Sequence, residues 1–70
     1  MTYYVLLVRC NERTFAGVCD DTGVSDSDAL IERAKQIVAR QFGHFIGGQP
    51  YTLDLLAAGD PPVIRLEVTP

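Results

Sequence analysis

Tyr3-Tyr4-Val5-Leu6-Leu7-Val8 decides how this chain folds, because it reads as a strand that is apolar on both faces. Alternate side chains of a strand point to opposite sides of its sheet. Tyr4, Leu6 and Val8 therefore take one side, and Tyr3, Val5 and Leu7 take the other. Only one segment of the chain has good helical periodicity, and one helix covers one face. The second apolar face is left to water or to a partner.

Working outward, residues 2–10 read as the first strand and Arg13-Thr-Phe-Ala-Gly-Val-Cys19 as its return, with the turn at Asn11-Glu12-Arg13. A turn centred on Asn11-Glu12 pairs Val8 with Phe15 and Leu6 with Gly17. One face of the hairpin then carries Tyr4, Leu6, Val8, Cys10, Phe15 and Cys19. The other carries Tyr3, Val5, Leu7, Arg9, Thr14, Ala16 and Val18. A slip of one residue would swap the faces of the second strand, and Asn-Glu is not a strong turn pair.

The polar stretch Asp20–Asp28 leads into a helix. Ser25, Asp26 and Ser27 are each competent N-caps, since their oxygens accept first-turn N–H groups. Residues 27–42 follow helical spacing, with Leu30, Ile31, Ala34, Ile37, Val38 and Phe42 along one stripe. Gly43 fits the left-handed position that closes a helix, so His44-Phe45-Ile46 is expected to fold back beneath the helix end. Gly47-Gly48 reads as a turn, residues 50–56 as a third strand, Ala57–Pro62 as a connection and residues 63–68 as a fourth strand.

Hairpin, helix, hairpin makes a single α+β domain over residues 1–70, in the order β-β-α-β-β. We expect a four-stranded mixed sheet of β-grasp-like order 2-1-4-3, with one helix packed on one face and the first and last strands parallel at the centre. The first strand is the most apolar, as suits a central position. Pro50 suits the start of an edge strand. The rival arrangement keeps all neighbouring strands antiparallel.

Composition narrows the function. Of 70 residues 47% are hydrophobic and 21% charged, which marks a globular chain. A chain this short buries only about 60% of its unfolded surface, so added burial against a second chain would matter. The net charge of −3 disfavours nucleic-acid and anionic-membrane binding, both of which run on Lys and Arg. It suits a basic protein partner. No run reaches the ~20 apolar residues of a membrane span, and no secretory leader is legible at the N-terminus. Cys10 and Cys19 fall near opposite ends of one hairpin, about 20 Å apart, too far for a disulfide. Two free, buried thiols point to a reducing compartment, and we expect a cytoplasmic protein.

No residue set reads as catalytic, cofactor-binding or metal-binding, so an enzyme is not expected. Asp20, Asp21, Asp26 and Asp28 lack the alternating ligands and closing Glu of a calcium loop. They read as caps and solubility charge, or alternatively as a mimic of a nucleic-acid backbone. His44 stands without a nucleophile or ligand partner and suits a helix C-terminus. Arg9 neighbours Cys10, but adjacent strand residues point apart, so it does not activate that thiol. Gly47-Gly48 resembles the paired glycines of ubiquitin-like modifiers and sulfur carriers, yet 22 residues follow where those families end. Conjugation chemistry is therefore not expected.

The remaining feature is the open sheet face: Tyr3, Val5, Leu7, Ala16 and Val18, bordered by Arg9, Thr14, Thr52, Asp54, Arg65 and Glu67. Exposed apolar surface of a few hundred Å² marks contact sites, and Tyr is favoured in them. In size and character the chain resembles the small inhibitors and adaptors carried by phages and mobile elements, anti-CRISPR proteins among them. The resemblance implies a non-enzymatic acidic module that binds a protein through its open face or an edge strand. A homodimer closing the apolar faces and an acidic nucleic-acid mimic are the alternatives.

Overall fold

A computed structural model describes residues 2–57 and 62–69. It contains β1 (Tyr3–Cys10), β2 (Arg13–Asp20), α1 (Ser27–Ile46), β3 (Tyr51–Ala57) and β4 (Pro62–Val68). Most of the expected connection Ala57–Pro62 lies outside the described residues. The first hairpin has the expected register, with Val8 opposite Phe15 and Leu6 opposite Gly17. A two-residue loop closes it, and Asn11 takes the left-handed backbone there at φ 57°. Asn tolerates that region better than most residues.

The strand order departs from expectation. It is β2-β1-β3-β4 with every neighbour antiparallel, and not 2-1-4-3 with a parallel central pair. β1 is central as its sequence requires, but its second neighbour is β3. The two strands flanking β1 are thus parallel to each other, and α1 crosses over β1 to join them. Pro50 is no edge marker, because it lies one residue outside β3 and costs no ladder bond. The edge is β4, which opens with Pro62 and alternates Arg65 and Glu67 toward solvent. β3 carries one charge, Asp54, and its Leu53 and Leu55 are fully buried.

The helix also runs further than expected. Asp26 is the cap, its carboxylate accepting from the Ala29 N–H at 2.8 Å, and Asp28 adds negative charge to the first turn. Gly43 does not stop the helix, because Ile46 continues the apolar stripe four residues beyond Phe42 and is buried. Gly47 closes it instead, at φ 61°, with its N–H donating to the Gly43 carbonyl at 2.9 Å. His44-Phe45-Ile46 therefore does not fold back. Two substitutions separate the roles of these glycines. Gly47→Ala should cost about 1 kcal/mol and lower Tm by several degrees, because alanine resists the left-handed region. Gly43→Ala, in a helix interior with open space around the new methyl group, should raise stability by roughly 0.5–1 kcal/mol. Thermal melts of the two variants check this.

The core is Leu6, Val8, Cys10 and Cys19 of the first hairpin, Leu53 and Leu55 of β3, and Leu30, Ala34, Val38 and Ile46 of α1. Gly17 faces the helix, and a Cβ there would sit in ordinary contact with Gln41 and Phe42 at 3.4–3.5 Å. The helix packs over β1 and β2 and leaves the β4 half of that face less covered. Ile64, Leu66 and Val68 are accordingly only half-buried.

Candidate functional site

The open face is built in rows by the ladder register. Val18, Val5, Leu56 and Pro62 are opposite one another and cross all four strands. The next row is Ala16, Leu7, Asp54 and Arg65. The third is Thr14, Arg9, Thr52 and Glu67. Tyr3 continues the apolar end, opposite Asp20. All five anticipated residues, Tyr3, Val5, Leu7, Ala16 and Val18, therefore share one face. The helix does not cover it, and Val5 is 42% exposed and Val18 60%.

Two things about this face were not visible in the sequence. The apolar surface is not confined to the first hairpin, for Leu56 and Pro62 carry it across the sheet and Val63 beside them is exposed. Charge bounds it along the strands at the Arg9–Glu67 end, and not across the sheet. The second is Asp54, which is 2% exposed at the centre of the face. Arg65 grips it with two hydrogen bonds, Nε to Oδ1 at 2.9 Å and Nη2 to Oδ2 at 3.1 Å. Arg9 lies 3.7 Å from the same carboxylate. The hydrogen bonds and charge of Asp54 raise the Arg65 pKa further above its ordinary value. The two guanidinium groups meet the buried carboxylate, while both arginine side chains stay more than half exposed.

The acidic loop has local work to do. Asp20 pairs with Arg33 at 3.2 Å and accepts from the Thr22 N–H. Asp21 accepts from the Thr2 N–H at 2.8 Å, and Asp26 caps the helix. Among the described residues no group of three or more His, Cys, Asp or Glu is placed to hold a metal ion. Nor is any described helix long and apolar enough to cross a membrane.

Cys10 and Cys19 are free and buried on the helix side of the sheet. Burial pushes the Cys19 thiol pKa up, opposed by Arg33 and assisted by Asp20 and Asp21. At pH 8 Cys19 should react with iodoacetamide roughly tenfold or more slowly than an exposed cysteine, and denaturant should abolish the difference. Mass spectrometry of the alkylated chain checks this. His44 sits in the last helical turn with its ring edge-on to Phe45 at 5.8 Å.

The partial reach of the helix leaves a groove on its own side of the sheet, which the sequence did not reveal. A groove of about 280 Å³ runs between α1 and the β3–β4 side, lined by Val38, Ala39, Ile46, Tyr51 and Val68. It is small for a ligand site. Burial alone raises the Tyr51 pKa there. Comparison with protein-family models, curated proteins and solved structures finds no match to this chain.

Proposed function

We propose that this protein is a non-enzymatic binding module that docks on a larger protein through the open face of its sheet. The observation that carries the reading is the uncovered row Val18–Val5–Leu56–Pro62, extended by Tyr3 and Val63. Apolar side chains aligned across four strands form a flat, rigid platform, and a surface of this kind is what protein contacts bury at their centre. Arg9, Arg65 and Glu67 give the platform an exposed charged border, with Asp54 buried beneath the two arginines. That border fixes orientation more than it adds affinity. The acidic loop at the apolar end favours a basic rim on the partner. An inhibitor or adaptor of the kind carried by phages, including an anti-CRISPR-like protein, is the class this fits, working in the cytoplasm.

A nucleic-acid mimic is less well supported, because Asp20, Asp21 and Asp26 are engaged with their own chain. Val5→Glu is the test: it should abolish docking without unfolding the protein, whereas neutralising Asp20, Asp21, Asp26 and Asp28 should leave docking in place.

A further inference from the structure

We infer that the β2 edge pairs with the β2 edge of a second copy of this chain, forming one eight-stranded sheet about a two-fold axis at Gly17. The inference does not rest on the docking surface just described, and either can fail without the other.

The two edges of the sheet differ in kind. β4 begins with Pro62, shifts register at Leu55/Leu56, and sends Arg65 and Glu67 outward. Each of these devices discourages strand addition. β2 has none of them. Its eight residues pair with β1 without a break, it has no proline, and no charge lies between Arg13 and Asp20 at its ends. The Asp21 N–H donates to the Thr2 carbonyl at 3.2 Å, so odd-numbered residues bond inward to β1. Thr14, Ala16 and Val18 then turn their N–H and C=O groups outward in the sheet plane. At Asp20 the carbonyl is already taken by Arg33 at 3.1 Å, which ends the free stretch.

Antiparallel self-pairing about Gly17 keeps like faces together. Ala16 falls opposite Val18 of the second copy, Phe15 opposite Cys19, Thr14 opposite Asp20, and Arg13 opposite Asp21. No like charges meet, and Arg13 meets an acid, as favourable cross-strand pairs require. The pair at the axis is one without hydrogen bonds, where strands approach closest, and glycine suits it. On the helix side Phe15 carries Phe42 and Phe45 at ring distances of 5.3 and 5.5 Å, and Phe45 is 56% exposed. This aromatic surface borders the seam. On the open side, Val18 of each copy meets Ala16 of the other, so each apolar row continues into the Ala16–Leu7 pair across the seam and the two rows lie side by side about the axis.

Sedimentation equilibrium tests the inference. At about 100 µM the protein should sediment at twice 7.7 kDa. Ala16→Pro removes an outward N–H and spares the β1 ladder, so it should weaken the dimer at least ~10-fold. Val18→Lys, a charge set on the same edge, should do likewise if the proline variant alters the circular dichroism. Amide exchange at Ala16 and Val18 should be slow in the dimer and speed up on dilution. A 7.7 kDa species for the unmodified protein at that concentration overturns the inference. So does a dimer whose Kd neither substitution changes.

Discussion

Leu53→Ala should lower Tm by about 12–24 °C. Leu53 is fully buried, with Val8 of β1 opposite it on one side and Leu66 of β4 on the other. Removing a core leucine costs about 3 kcal/mol, through lost burial and the cavity left behind. A domain of this length has roughly 3.5–10 kcal/mol of stability in total. Each kcal/mol moves Tm by roughly 4–8 °C at this size. The prediction discriminates between strand orders. In the order 2-1-4-3 Leu53 would stand on an edge strand and its loss would be mild. Leu66, on the true edge and half-buried, supplies the comparison, and Leu66→Ala should cost markedly less. Thermal melts by circular dichroism decide it; a Leu53→Ala shift below about 5 °C would contradict an interior β3.

The first hairpin was legible down to its register, because a side-chain period of two and a short turn leave few pairings that bury Leu6 and Val8. The N-cap was legible only as one of Ser25, Asp26 and Ser27, and the structure picks Asp26. The helix end was not legible from Gly43, because a glycine's type alone does not stop a helix whose apolar stripe continues through Ile46 to Gly47-Gly48. The strand order differs from expectation because Pro50 lies outside β3 and charge alternation, not proline, marks the edge. Arg65 and Glu67 alternating with Ile64, Leu66 and Val68 is an edge signature, and β3 has only Asp54. The role of Asp54 could not be read along the chain. It exists only once β1 and β4 bring Arg9 and Arg65 to either side of β3. The same is true of the apolar row, whose members Leu56 and Pro62 come from the far half of the sequence.

Val5→Glu should leave stability within about 1 kcal/mol of the unmodified protein and remove at least ~10-fold of the affinity for its partner. Val5 is well exposed between Val18 and Leu56, so a glutamate there reaches water and meets no acid directly opposite. Leu7→Glu is a poorer probe. Leu7 is half-buried and directly opposite Asp54, so a second carboxylate would compete for Arg65 and Arg9. It should destabilise the sheet, and any loss of binding would be confounded by unfolding. The position on the face thus decides which of two similar substitutions reports on function.

The central claim is that the open face is a contact surface, and quantitative affinity capture from the source cell tests it most directly. Three baits are compared: the unmodified protein, Val5→Glu, and a variant with Asp20, Asp21, Asp26 and Asp28 changed to Asn, each first shown to be folded. The expected result is a protein enriched by the unmodified and Asn baits and lost at least ~10-fold from the Val5→Glu bait. Equal capture by all three baits, or loss from the Asn bait alone, would contradict the claim.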